Sequence, residues 1–235
     1  MTTIPITILS VVYMLLLTIV YFSKERIHNA ETRIYSHMIR ISLFGIFIDA
    51  VSCFLLIYNL VETPIFVMAS LFMFVYYILW SCLFLVYIFI ISFKKPNISD
   101  KEFLQKKKYV IGSIFGIYTI CAFLVIFLPI SYHVENGIVF PEGPGVNLTY
   151  FIAGFVSIAL MFVFLVINRK QVKSKKYVPL YALLVLLGVA TIIQKLNPGL
   201  ILTTAVECFI TFLMYFTVEN PDVQMIRELY KNIRK

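Results

Sequence analysis

Apolar residues come in runs of roughly twenty, parted by short polar stretches, seven times along the chain. The runs cover residues 4–22, 38–60, 65–93, 110–130, 150–167, 178–193 and 200–218. A helix of about 20 residues crosses the ~30 Å hydrocarbon core of a bilayer. The pattern predicts an all-α membrane protein, a bundle of seven transmembrane helices. The run at 65–93 is longer than a crossing needs and is crowded with Phe, Tyr and Trp80. It predicts either a tilted helix or one whose inner end emerges as an interfacial aromatic belt. Between the fourth and fifth runs the pattern changes. Asn136-Gly137 is a strong hairpin signal and lies between Tyr132-His133-Val134 and Ile138-Val139-Phe140. Pro141, Gly143, Pro144 and Gly145 then break the chain. The expectation is a small extracellular hairpin cap followed by a Gly-Pro turn. Residues 194–199 read as a tight turn before the last run.

Composition agrees with the pattern. The chain is 61% hydrophobic and 14% charged, against about 45–50% and about 25% in soluble proteins. The first run is preceded by no basic segment of the kind that opens a signal peptide, so it is expected to remain in the mature chain. Net charge is +8, and its placement matters more than its size. The face formed by the loops after runs one, three and five, with the C-terminal tail, collects 19 of the 20 Lys and Arg residues, all but Lys195. The opposite face carries Glu62, Glu135 and Glu142. The positive-inside rule then predicts the N-terminus outside and the C-terminus cytoplasmic. The basic loops read as anchors on anionic lipids, not as a nucleic-acid surface. Cys53, Cys82, Cys121 and Cys208 all fall inside apolar runs, as small buried residues do.

Two carboxyls interrupt the runs, Asp49 near the middle of the second and Glu207 near the middle of the seventh. A charge at that depth costs on the order of 3 kcal/mol, so such a group faces protein or water and is a functional candidate. No Lys or Arg lies at the same depth; Arg40 is two and a half turns below Asp49. Two readings stand side by side: protonated groups hydrogen-bonded to Ser52, Thr203, Thr211 or tyrosines, or a polar cluster whose protonation or ligand contact biases helix packing. Tyr132, His133, Glu135, Glu142 and Lys195 complete the candidate ligand or polar-cluster set on the outer side. His28, His37 and His133 are not spaced for metal ligation. Asn147-Leu148-Thr149 matches a glycosylation sequon but abuts the fifth run. A retinal protein needs a lysine in the middle of its last span, where this chain has Glu207. The sequence shows no phosphate-binding Gly-rich loop, His-Glu-x-x-His or Gly-x-Ser-x-Gly. No enzyme class, cofactor or metal is expected.

After Pro221 the apolar residues fall at Val223, Ile226, Tyr230 and Ile233, a two-heptad a/d seam with Arg227, Glu228, Lys231 and Arg234 off it. Asn220 suits an N-cap and Pro221 a first turn. Glu219, Asn220, Pro221 and Asp222, with the four seam residues, are therefore the candidate signal relay. The alternative is an amphipathic tail lying on the inner leaflet.

Tyr215-Phe216-Thr217-Val218-Glu219-Asn220-Pro221-Asp222 at the exit of the last run, with Gly143-Pro144-Gly145-Val146-Asn147 and Tyr150 entering the fifth, resembles the N-terminal membrane sensor region of seven-helix bacterial sensor histidine kinases. The resemblance implies a sensor domain over residues 1–218 and a cytoplasmic signalling-helix stub over 219–235. It also implies a homodimer in the bacterial cytoplasmic membrane that relays a stimulus to a histidine kinase-like output module and, indirectly, a response regulator. No phosphoacceptor histidine follows Pro221 and no ATP lid is present, which suits the sensor part of a longer kinase or a stand-alone relative. The rivals are a small proton-coupled transporter or permease-like protein, favoured by the two carboxyls, and an assembly subunit without a ligand.

Overall fold

The computed structural model describes residues 3–24, 29–58, 60–95, 98–135, 138–169, 178–197 and 202–217. Its helices are α1 (Thr3–Ser23), α2 (Ala30–Ile57), α3 (Pro64–Phe93), α4 (Asp100–Phe127), α5 (Pro144–Ile167), α6 (Val178–Leu196) and α7 (Thr203–Thr217). Between α4 and α5 lie strands β1 (Ser131–Glu135) and β2 (Ile138–Glu142). Helices α1 to α5 are each long and apolar enough to cross a membrane, and α6 and α7 contribute the shorter apolar stretches Leu180–Leu196 and Thr203–Phe216. The protein is a membrane-embedded, multi-pass helical chain.

Polar residues fix where several helices begin. The Asn29 side chain caps α2 by accepting from Thr32 N at 2.7 Å. Thr63 caps α3 ahead of Pro64 at the first helical position, and Ser99 caps α4 with Asp100 and Glu102 in its first turn. Two expected boundaries are corrected by these caps. α2 starts at Ala30 instead of 38, and α4 at Asp100 instead of 110, so much of both basic segments is helix. Hydropathy registers only the lipid-matched part of a helix, whereas the capping box Ser99-x-x-Glu102 marks its true start. With 28, 30 and 28 residues, α2, α3 and α4 reach about 42–45 Å, more than the ~30 Å of hydrocarbon, so one end of each projects.

The projecting ends are tied together. Asp100 pairs with Lys94, its Oδ2 accepts Ala30 N at 2.6 Å, and Lys94 Nζ lies 3.8 Å from Glu31. Phe89, Phe93, Phe103 and Phe164 pack against one another beside this knot. Asp100→Ala removes a helix cap and an ion-pair partner at once and should cost about 1–2 kcal/mol. Unfolding of the purified protein in micelles measures this, and unchanged stability would show the knot to be ornamental.

α3 runs through the centre of the bundle. Its C-terminal half, including Phe84, Tyr87, Ile88 and Ser92, is as buried as its middle. The aromatic-belt expectation is therefore corrected: these rings fill the interior, because α3 is apolar on every side and is wrapped by α2, α4 and α5. α1 and α4 instead turn Leu9, Ile19, Ile120 and Phe123 outward, as lipid-facing helices do.

Two short strands lie where the hairpin is expected, and its Asn136-Gly137 turn lies outside the described residues. β1 and β2 pair antiparallel with Glu135 opposite Ile138 and Ser131 opposite Glu142. Gly143 follows at φ +122°, where a Cβ would also meet the Pro129 carbonyl oxygen at 2.5 Å, so only glycine fits. Pro144 opens α5 there, earlier than the expected residue 150. From Tyr150 to Val156 the helix widens into a π-helical stretch before tightening again at Ser157.

Candidate functional site

Hydrogen bonds from four other helices converge on α7. Tyr13 of α1 donates to Ala205 O at 2.7 Å. Tyr35 of α2 donates to Thr211 O at 2.6 Å. The Trp80 indole of α3 donates to Ser42 Oγ at 3.1 Å and Thr211 Oγ1 at 3.3 Å, and those two hydroxyls lie 3.2 Å apart. Tyr77 of α3 meets Thr204 Oγ1 at 3.0 Å. From α6, Gln194 Oε1 accepts Leu202 N at 2.9 Å and Thr203 N at 2.5 Å, holding the first backbone donors of α7. This corrects the tight turn expected at 194–199: residues 194–196 are helical and Gln194 is the cap of the next helix. Bonds of this kind average about 0.6 kcal/mol each between membrane helices, but together they fix α7 in rotation as well as depth.

Glu207 occupies the middle of this helix and is 2% exposed. Its Oε2 is buried without a hydrogen-bond partner, and so is the hydroxyl of Tyr76 beside it. Thr203 Oγ1, one turn earlier, is also buried without a partner. Glu207 and Thr203 line a cavity of about 20 Å³ whose other walls are Tyr77 and Ser81 of α3, Thr149, Tyr150, Ala153 and Gly154 of α5, and Leu187 and Thr191 of α6. The widened stretch of α5 forms one wall. Two carbonyls there take side-chain donors, Ala153 O from Ser81 Oγ at 3.2 Å and Ile152 O from Ser157 Oγ at 2.6 Å. Such π-turns are frequent at functional sites. The volume suits a water-sized species and not an organic ligand.

Asp49 sits in a different nest. Thr7 of α1 donates to its Oδ2 at 3.0 Å and approaches Cys53 Sγ at 3.6 Å. Oδ1 and the nearby Ser52 Oγ are buried without partners. Arg40 lies 5.6 Å over the Phe22 ring, a cation–π placement.

The remaining candidates form a third group. Tyr132 packs against Phe66 with ring centres 5.5 Å apart, and burial pushes its phenol pKa up. His133 stacks on Phe140 at 5.0 Å, with Nδ1 3.7 Å from Glu142 Oε1. Lys195 is exposed at the end of α6. None of these residues lines the Glu207 cavity. The side chain of Glu135 and the whole relay set, Glu219, Asn220, Pro221, Asp222, Val223, Ile226, Tyr230 and Ile233, lie outside the described residues. The sequon threonine is engaged in the helix, with Thr149 Oγ1 donating to Gly145 O at 2.9 Å. Among the described residues no group of three or more His, Cys, Asp or Glu could hold a metal ion.

Sequence reasoning singled out Glu207 with Thr203 and Thr211 and missed the residues that the other helices bring to α7. The signal for α7 was present: Thr203, Glu207 and Thr211 recur every fourth residue, a polar stripe on one helix face. Ser42, Tyr77, Trp80 and Gln194 carried no comparable spacing. No protein-family model, curated protein or solved structure matches the chain.

Proposed function

We propose that the chain is a membrane sensor of the histidine kinase type. In this reading it crosses the cell membrane seven times, probes the outside with its β1–β2 hairpin, and relays its state through α7 to a cytoplasmic output module as a homodimer. The observation that carries the reading is the convergence of hydrogen bonds from four helices on α7. A stimulus moves a two-state equilibrium only through contacts that differ between the states, and a helix held by several neighbours registers a shift in any of them. The segment beyond α7 carries the heptad seam that would pass such a shift onward. The charge distribution supports the orientation, and the basic inner ends would rest on anionic lipids of a bacterial cytoplasmic membrane.

Orientation is tested by single cysteines in a cysteine-free background. In intact cells a cysteine at Glu142 should label with an impermeant thiol reagent and one at Lys101 should not; the reverse pattern overturns the assignment. The relay is tested by oxidative crosslinking. Cysteines at Ile226 or Ile233 should form dimers readily and those at Glu228 or Lys231 poorly. Thr211→Val, which keeps shape but removes the hydroxyl at the hub, should change that ratio. Equal crosslinking at all four positions, or a ratio indifferent to Thr211→Val, would defeat the sensor reading.

The two buried carboxyls favour one rival, a small proton-coupled transporter. Substrate accumulation in vesicles that fails in Asp49→Asn or Glu207→Gln would establish it.

A further inference from the structure

The Glu207 cavity is lined by six hydroxyl-bearing side chains, those of Tyr77, Ser81, Thr149, Tyr150, Thr191 and Thr203, besides Glu207 itself. Ser81, Thr149 and Thr191 each give their hydroxyl hydrogen to a backbone carbonyl, of Ala153, Gly145 and Leu187 respectively, so only lone pairs remain on those oxygens. Thr203 Oγ1 and Glu207 Oε2 are buried without partners. No Lys, Arg or His lines the space to balance a carboxylate. Buried oxygens with free lone pairs around a carboxyl that no basic side chain balances suit a positive guest. We propose that this cavity is a binding site for one small monovalent cation of sodium size, with Glu207 as its counter-charge and the Ser81, Thr149, Thr191 and Thr203 hydroxyls as neutral oxygen ligands. Hard cations take oxygen donors, and a calcium site ordinarily gathers several carboxylates and carbonyls at once. A single carboxyl in a cavity of about 20 Å³ matches one charge on a water-sized ion.

The site joins α3, α5, α6 and α7, so an ion there would clamp the wide turn of α5 against the hub helix.

The test is thermal unfolding of the purified full chain in detergent, titrated with NaCl against choline chloride at equal ionic strength. A pH of about 8, well above the ordinary carboxyl range, keeps the comparison one of cations. The wild type should show a saturable upward shift of Tm in sodium only, and Glu207→Gln, which keeps the shape, should lose it. Thr203→Val should weaken the apparent affinity by about tenfold, the effect of a second-sphere or single-ligand loss. Should Glu207→Gln fold poorly, radiosodium binding to the wild type decides: one ion per chain supports the site. Absence of bound sodium, or equal Tm in sodium and choline, overturns it and leaves the cavity to water.

Discussion

Trp80→Ala is expected to cost about 3–5 kcal/mol, the range seen when a large aromatic is deleted from a packed interior. Trp80 is fully buried, is the largest such side chain in the described protein, and stacks at a tilt on Phe84 with ring centres 5.0 Å apart. Within a membrane the gain from packing is chiefly van der Waals contact, since lipid is as apolar as leucine. Removing an indole therefore leaves a void that lipid cannot reach. The hydrogen bonds matter less: the indole N–H is a donor only, and Ser42 and Thr211 still have each other at 3.2 Å after it is gone. Trp80→Phe should accordingly lose only about 1–2 kcal/mol. Equilibrium unfolding of both variants in mixed micelles measures the ratio, and equal losses would mean that hydrogen bonding, not volume, sustains the centre of the bundle.

Gly45→Val should be nearly as damaging, by overpacking. A Cβ built on Gly45 runs into the ring of Tyr76, which is itself buried and sits beside Glu207. The ring must move or the helices must part, at a cost of typically 1–3 kcal/mol and more for the β-branched residue. Gly112 and Gly116 provide the contrast, because nothing lies within 4 Å of a Cβ at either. Alanine at those positions should stabilise by up to about 1 kcal/mol through helix propensity alone, whereas Gly45→Ala should destabilise. If the clash is the cause, Tyr76→Ala will rescue Gly45→Val in a double-mutant cycle. Additive losses would place the damage elsewhere.

How much of this was legible beforehand depended on the kind of force involved. Long apolar runs announce helices because lipid demands them, and the two stretches flanking Asn136-Gly137 announced the paired strands β1 and β2. The true starts of α2 and α4 were hidden by charge, although Asn29 and Ser99 marked them. The burial of the α3 aromatics was not readable, since an apolar side chain facing lipid and one facing protein look alike in sequence. Asp49 and Glu207 stood out as carboxyls in apolar runs, yet nothing in their spacing said that one would share a nest with Thr7 and the other with α3, α5 and α6. Gln194 was read as part of a turn because its role depends on Leu202 and Thr203 coming back to it.

The wide stretch of α5 sets a phase. A wide turn takes up one extra residue, so dropping one residue between Tyr150 and Val156 would restore regular winding and leave Gly143 and Phe164 in phase, whereas regular winding with every residue kept would swing the hairpin by about 100° relative to Phe164. The rotational setting between the two ends of this helix thus hangs on a single residue, like the key on a shaft.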